Sequence, residues 1–536
     1  MSAFKTELWV AREGACTRCG HATTIQLHQQ RPLQLLTERL LVIEKDRRCS
    51  NPACSDAHII IRPDDETRRL VVKGCEYGLD VIALLGERHL QAHCSFAEIR
   101  RELVNKHGVL ISERHVSNLF RIYLALVGAR TMESQAVQAR IKVQGRTILS
   151  VDAVKFDDVS PRLYVVREVL SQEILIAERI EIADTDRLAA FLNKANMMGL
   201  PILGIVSDKE HALVAAIKKV FPEVPHQYCQ THFLGHIAKP MESDLANLGT
   251  AVEKVAKEVR AVAKGISDDK VATPEERRLA SKVCEAVQVI SKVRGDKLLD
   301  PPALKRFTEL KGIEEMTHKA VIGAPNSPLL TRLLGIFAIL SPWVALAKRL
   351  SRQVTIVREI AHLLGQEVSS EKVKGELLAY LEKLEKESPR RGRGAAQGHF
   401  HDQVIAVTRR FWTGLLACYD VEGLPNNNNA LESFFRALKY HFRRVHGTKS
   451  TAGGVLESIA PLVVLLWPDL HQMPDLEALL RDLSAEQLQR ARDGIQELAQ
   501  PARERRSFRR NRKGQLESAF TAFTEQTKGQ RSANKK

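Results

Sequence analysis

Three acidic residues stand where acids are hard to place. Asp152 sits in ILSVDAVKF, a strand-like run with apolar neighbours on both sides. Burying its charge there is costly unless it is paired or binds a metal. Asp208 ends the apolar run PILGIVS and opens the next helix in GIVSDKEHAL. The carboxyl end of a strand is a usual place for a site, although a helix N-cap would look the same. Glu432 lies in the first turn of a helix that follows the run Asn426–Asn429. Favourable interaction with the helix dipole is the plain structural account of it. If the three carboxylates converge, they suit two Mg²⁺ or Mn²⁺ ions, since hard cations take oxygen ligands. Two such ions, about 3.5–4 Å apart, activate an attacking oxygen and stabilise a leaving one on phosphorus. Asp157, Asp158 and Glu210 are rival acids: the first two fit a turn at a strand end, and Glu210 fits the solvent side of a helix.

A second set of residues points to a different metal. Cys16, Cys19, Cys49 and Cys54 are spaced C-x2-C-x29-C-x4-C. Two close pairs on facing turns supply the four soft ligands of a tetrahedral zinc. Gly20 helps the first turn close, and the stretch between the pairs, Thr23–Leu41, alternates like a strand. This is the layout of a zinc ribbon. His21 and His58 are substitute ligands that such a site does not need.

The elements that must position these residues are written in the sequence periods. Over residues 79–127 the apolar spacing is helical. Ser95 caps a helix with Phe96, Ile99, Leu103 and Val104 inward, His107-Gly108 ends it, and Ser112 caps a second with Val116, Leu119, Phe120 and Tyr123 inward. Two short helices around a glycine turn read as helix-turn-helix, although an ordinary helical hairpin has the same pattern. Glu113, Arg114, Ser117, Asn118 and Arg121 point outward from the second helix. Arg and Asn suit base edges in a major groove, and Ser suits phosphate.

From Thr147 the period becomes two. Strands are expected at Ile148–Phe156, Arg162–Ser171 and Glu173–Glu181, then a helix at Thr185–Met198. A strand at Pro201–Ser207, a helix at Lys209–Val220 and a short strand at His226–Cys229 follow. Three hairpin strands followed by alternating helix and strand is the element order of a ribonuclease H-like α/β domain. Residues 231–424 are helical in pattern, broken by the basic, Gly-rich loop Ser388–Gly398. After the asparagines, Leu431, Phe434, Phe435, Leu438 and Phe442 lie on one face of a helix, and Arg436, Lys439, Arg443 and Arg444 on the other. An apolar helix at Gly454–Trp467 and an amphipathic one from Asp475 complete the chain before a basic tail.

The expected fold is therefore multi-domain, α/β plus all-α. A zinc-ribbon-like domain (1–75) precedes a helix-turn-helix domain (76–140) and the first part of a ribonuclease H-like core (141–232). An α-helical insertion (233–425) separates that part from the rest of the core (426–470), which carries Glu432. A helical and basic end (471–536) follows.

The 536 residues hold 80 Lys+Arg against 64 Asp+Glu, a net charge of +16, and the pI is near 9.4. Residues 500–536 contribute eleven of the cations and three of the acids, half of the excess. This balance points to a polyanionic partner. Leu333–Ala347 is the longest apolar stretch; it is shorter than the roughly 20 residues of a membrane span, contains Ser341-Pro342, and reads as buried helix. MSAFKTELWVAREG has no apolar leader core. No membrane partner and no disulfide framework are expected.

Four motifs in order resemble the DDE-type insertion-sequence transposases of the Mutator-like superfamily: SVDAV, VSDKEHAL, FPEVPHQYCQTHFLGHI (Phe221–Ile237) and NNNNALESFFRALK. In that family a C-x2-H motif follows the second aspartate, and Cys229 and His232 match it. The resemblance covers roughly residues 147–450. It implies that Asp152, Asp208 and Glu432 are a catalytic triad holding two Mg²⁺ or Mn²⁺ ions, with Cys229 and His232 as active-site support. It also implies that Arg114, Ser117, Asn118 and Arg121 read the inverted repeats of a mobile element, and that Arg436, Lys439, Arg443 and Arg444 hold backbone phosphates. Trp412 would then be a candidate for base stacking, with core packing as the alternative. His226, Cys229, His232 and His236 also offer enough ligands for a second zinc. The partners implied are double-stranded DNA, at element ends and target, and at least a second copy of the chain. The location implied is cytoplasmic and, in a bacterium, nucleoid-associated. A DNA-binding regulator that does not cut, and another ribonuclease H-like nuclease, share parts of this pattern.

Overall fold

The computed structural model describes residues 5–11, 14–61, 63, 70–72, 75–131, 139, 141–156, 162–295, 298–388, 395–447, 460–466, 476–514, 516–518 and 520–521. Asp157, Asp158, Asp475, most of the loop Ser388–Gly398, Trp467 and the end of the basic tail lie outside the described residues. The chain is mixed α/β and mostly helical. It divides into two compact units: Met1–Ile202, Lys219–Phe221 and Ala430–Lys536 form one, and Leu203–Lys218 with Pro222–Asn429 form the other.

In the first unit, strands β1 (Lys5–Val10), β2 (Thr23–Gln34) and β3 (Arg39–Cys49) form a sheet in the order β1-β3-β2. β1 runs parallel to β3, and β2 antiparallel to it. The expected run Thr23–Leu41 is thus a hairpin, turned where the Leu35 N–H donates to Glu38 O at 3.0 Å. Alternate β3 residues, Leu40 and Val42 among them, are buried, as the two-residue period requires.

Helix α1 (Leu79–Leu90) leads to α2 (Phe96–His107) and α3 (Glu113–Thr131). Ser95 and Glu98 cap α2 reciprocally. Gly108 ends it at φ 64°, a left-handed conformation that costs glycine little. The His115 N–H donates to Ser112 Oγ at 3.2 Å and starts α3. These stops and starts are the ones the sequence announces.

The unit continues with β4 (Thr147–Val154), β5 (Arg162–Glu168) and β6 (Ile174–Ile180), paired antiparallel in that order. Helix α4 (Thr185–Asn196) follows, capped by Asp184.

The second unit holds β7 (Ile202–Ser207), but for its first residue, and α5 (His211–Val220), but for its last two. β8 (His226–Tyr228) pairs parallel with β7, with Ser207 opposite Tyr228. Helices α6 (Gln230–Ala238), α7 (Glu242–Ala263), α8 (Pro274–Ser291), α9 (Pro302–Gly323), α10 (Pro328–Phe337), α11 (Val344–Leu364), α12 (Ser370–Lys386) and α13 (Ala395–Phe411) build the rest.

Among the described residues one helical stretch, Pro328–Leu364, is long and apolar enough to cross a membrane. Pro342, which lacks an N–H, falls in a 3₁₀ segment between α10 and α11. Leu330, Leu333, Phe337 and Leu340 are buried in the unit's core, and the exposed positions are small or polar: Thr331, Arg332, Gly335, Ala338, Ser341.

In the first unit, α14 (Asn429–His446), but for its first residue, buries Leu431, Phe435, Leu438 and Phe442. These share one core with Val154, Leu163 and Val165 of the sheet and Val116, Phe120 and Leu124 of α3. The amphipathic end is two helices, α15 (Leu476–Arg481) and α16 (Ala485–Arg510), because Ser484 and Gln487 form a new capping box. α16 lies against α3, close enough that a Cβ on Gly494 would stand 3.6 Å from Ala125 Cβ.

Two predictions follow from this packing. Gly86 of α1 faces Tyr123, whose ring would lie 2.1 Å from an added Cβ, and Tyr123 is 1% exposed and cannot swing away. Gly86→Ala should destabilise the first unit by about 1–3 kcal/mol in urea unfolding. Arg444 of α14 forks onto Glu98 of α2 at 2.9 and 3.2 Å. The Arg444 hydrogen bonds, then the Ser95 backbone, hold the Glu98 carboxyl down to about 2 from its ordinary 4.5. A depressed carboxylate contributes stability that is fully present above its unfolded value and lost as pH falls through its folded value. The stability gap between wild type and Glu98→Gln should therefore be constant above about pH 4.5 and close as pH falls toward 2, read by denaturant midpoints across that range.

Candidate functional site

The four N-terminal cysteines come together. Cys16 Sγ lies 3.9 Å from Cys54 Sγ, and Cys19 Sγ 3.4 Å from Cys49 Sγ. All four sulfurs are within 4.8 Å of one another. A tetrahedral zinc with bonds of about 2.3 Å separates its sulfurs by about 3.8 Å, so the cradle has the size that zinc requires. The local backbone makes it. Gly20, at φ 73°, lets its N–H reach Cys16 O at 2.9 Å, while the Cys16 N–H donates to His21 O at 2.7 Å. On the facing turn the Asp56 N–H donates to Cys54 Sγ at 3.4 Å. A backbone hydrogen bond from His21 lowers the Cys19 thiol to about 6, against burial. This eases its ionisation for metal binding. His21 and His58 are not among the grouped ligands.

The second group is Asp208, Cys229 and His232, again with ligand atoms within 4.8 Å. β7 carries Asp208 out at its carboxyl end, and the start of α6 carries Cys229 and His232 beside it. His232 Nδ1 lies 2.7 Å from Asp208 Oδ1. The Asp208 carboxylate, then Cys229, hold the His232 imidazole up to about 11, so it is an imidazolium paired to Asp208.

The surrounding backbone fixes this pair. The Cys229 N–H donates to Ser207 O at 2.9 Å, and the Gln230 N–H to Asn426 O at 2.8 Å. The Asn428 N–H reaches Cys229 Sγ at 3.4 Å. Gln227 and Gln230 both donate to Leu415 O, and the Cys418 N–H donates to Gln227 Oε1. Gly414 is required here, since a Cβ would meet His226 O and the Tyr228 ring at 2.8 Å.

The other two histidines of the motif do different work. Burial pushes His226 down to about 4, so it is neutral. Its Nε2 is 2.8 Å from Ser207 Oγ, whose own proton goes to Asp208 O. His226 Nε2 must therefore carry a hydrogen and donate. His236 packs on the Phe411 ring, with centroids 5.4 Å apart. Neither belongs to the grouped ligands, so the four-ligand second zinc is not assembled. Trp412 is partly buried against the core of the second unit.

Sequence reasoning passed over Lys209. Its ammonium lies 5.5 Å from the centre of the Tyr228 ring and 5.4 Å from that of Phe411. Burial, then the charge of Arg410, lowers its pKa. Only the alternation of a cation with aromatics far apart in the chain could have signalled this.

Asp152 and Glu432 lie in the first unit, and Asp208 in the second. Asp152 is 9% exposed in the middle of β4, opposite Val165 of β5. Its Oδ1 accepts from the Ala153 N–H at 2.7 Å. Glu432 is half-buried in the first turn of α14. Neither is in the two groups above. Of the outward residues, Arg114 and Asn118 are exposed, Ser117 and Arg121 are half-buried, and Arg121 Nη1 donates to Asn118 Oδ1 at 3.1 Å. On α14, Arg436 and Arg443 are exposed and Lys439 half-buried, whereas Arg444 is engaged by Glu98.

Residues 166–273 match the family described as "Transposase, Mutator family". The stretch runs from β5 into the helices and includes Asp208, Lys209, Cys229 and His232. No curated protein matches the chain. Among solved structures it is similar to the Drosophila P element transposase strand transfer complex, at 9% identity and a TM-score of 0.28, over 77% of this chain and 94% of that one. The family match falls on two of the four motifs that carry the resemblance, VSDKEHAL and FPEVPHQYCQTHFLGHI, so residues 166–273 are similar to a Mutator-family transposase domain.

Proposed function

We propose that the chain is a DDE-type transposase. It binds duplex DNA at the ends of a mobile element, hydrolyses a phosphodiester there, and joins the freed 3′-hydroxyl to target DNA. The observation that carries this reading is the pairing of His232 with Asp208 inside the Mutator-family segment. It joins the second acidic motif to the C-x2-H motif. The order β4-β5-β6-α4-β7-α5-β8 further supports a ribonuclease H-like core in two parts, 141–232 and 426–470, interrupted by an α-helical insertion at 233–425.

In this reading Asp152, Asp208 and Glu432 hold two Mg²⁺ or Mn²⁺ ions. Three carboxylates are the hard oxygen donors such ions take. The ions, when bound, supply charge stabilisation for the attacking and leaving oxygens. The chain's own residues do the positioning. His232 turns the Asp208 carboxylate, and the Asn428 N–H on Cys229 fixes the start of α6.

Cys16, Cys19, Cys49 and Cys54 hold a structural zinc that closes a ribbon at the head of the first unit. Arg114, Ser117, Asn118 and Arg121 of α3 face a major groove as a helix-turn-helix would. Arg436, Lys439 and Arg443 hold phosphates beside Glu432. Arg444 is first of all the partner of Glu98. Synapsis of two ends requires at least two copies of the chain. The six domains expected from the sequence, and a cytoplasmic, nucleoid-associated location in a bacterial source, belong to the same proposal.

Two experiments test it. Asp152→Asn and Glu432→Gln should each abolish Mg²⁺-dependent cleavage of duplexes carrying the inverted repeats that flank the gene, with binding to those duplexes kept. Cleavage that survives both substitutions would falsify the assignment. Metal analysis of the purified chain should find one zinc per molecule. Cys19→Ser should lose it and lower the melting temperature, and the same zinc content in Cys19→Ser would refute the cysteine site.

A further inference from the structure

Beside Asp208 the fold gathers cations that make no ion pair among the described residues. Lys209 is held on the faces of Tyr228 and Phe411 by contacts worth about 0.5–2 kcal/mol for a partly desolvated ammonium. Arg410 precedes Phe411 on α13, is exposed, and is near enough for its charge to act on Lys209. His236 also packs on the Phe411 ring, and the charges of Arg410 and Lys239 reach it. Among the described residues, no carboxylate lies within 4.0 Å of Lys209, Arg410 or Lys239. Asp208, the residue before Lys209, is itself paired with His232 at 2.7 Å.

Like charges gathered in one place repel, and here the fold holds them together: β8 and α13 present the two rings, and Gly414 lets the chain after α13 close on β8. Such a cluster suits an anion. A guanidinium matches two oxygens of a phosphate, and an ammonium supplies a compact charge to a third atom.

We propose that Lys209 and Arg410 form a phosphate subsite that holds a backbone phosphodiester of the DNA strand next to Asp208. The subsite lies wholly within the second unit and adds to the acids and the C-x2-H pair a positioning element that neither motif supplies. That the phosphate belongs to DNA rests on the transposase reading.

The test is equilibrium binding of the full chain to a short fluorescent duplex of mixed sequence, in EDTA, over a range of salt. Lys209→Met keeps the stem on the rings and removes the charge; it is combined with Arg410→Gln. The double variant, with an unchanged circular dichroism spectrum, should show a slope of log K against log salt that is shallower by about 1. The loss should be the same for unrelated sequences, and Lys209→Arg alone should keep the wild-type slope. An unchanged slope in the double variant overturns the subsite. Calorimetry with inorganic phosphate separates the sources. Heat that appears with wild type and vanishes in the double variant, alongside an unchanged DNA slope, makes the site one for free phosphate and overturns the proposal. Because these measurements need no cleavage, a wild-type chain that cuts DNA while the slopes stay equal sinks this inference alone. A chain that never cuts sinks the transposase reading and leaves the slope difference standing.

Discussion

The apolar stripe of α14 is the contact on which the first unit depends. Leu431, Phe435, Leu438 and Phe442 recur at helical spacing, and all four are buried in one core with residues of β4, β5 and α3. Each such side chain contributes roughly 1.5–3 kcal/mol when fully removed from water. The stripe therefore fixes the rotation of α14 about its axis. That rotation puts Glu432 in the first turn and sends Arg436 and Arg443 outward. It also brings Arg444 onto Glu98 and His441 to within 3.0 Å of His93. The helix that carries an acid of the proposed triad is thus tied through one apolar face to both the sheet and the helical module.

Around Asp208 the constraint is electrostatic. A carboxylate that is partly out of water must be answered, and His232 answers it as an imidazolium. Hydrogen bonds to the carbonyls of Ser207, Asn426 and Leu415 then hold the pieces in register, although the last two lie some two hundred residues after the first. The asparagine run serves this arrangement directly: Asn426 and Asn428 dock on the start of α6, and the helix they precede starts at Asn429. A stretch that reads as a helix cap is in the structure also a clasp for the C-x2-H motif.

Much of this was legible in the sequence wherever the cause is local. Ser95, Gly108 and Ser112 mark helix ends because capping and left-handed turns involve neighbours three or four residues apart. The strands from Thr147 onward fall within a few residues of their expected bounds because alternation is a property of each run. The cysteine spacing gave the cradle for the same reason. Long-range pairing left no such trace. Nothing near Arg444 announces Glu98, and nothing near Lys209 announces Phe411, some two hundred residues away. The amphipathic end reads as one helix because its apolar period survives the break, and only the Ser484 capping box divides it. Pro342 interrupts α10 and α11 less than its chemistry suggests, since a short 3₁₀ segment absorbs the missing donor.

The contact of α16 with α3 has a consequence in time. Leu488 and Ala491 are buried in the core to which α3 also belongs, and Gly494 lies against Ala125. The covering helix begins at residue 485, whereas α3 ends at residue 131. At about 5–20 residues per second of synthesis, α3 waits roughly 20–70 s for the helix that covers it. During that interval the whole second unit is made, and one side of the nascent helical module stands open to solvent. A helical module made early in synthesis is therefore among the last to be completed, and a chain that stops before residue 485 leaves its first unit unfinished.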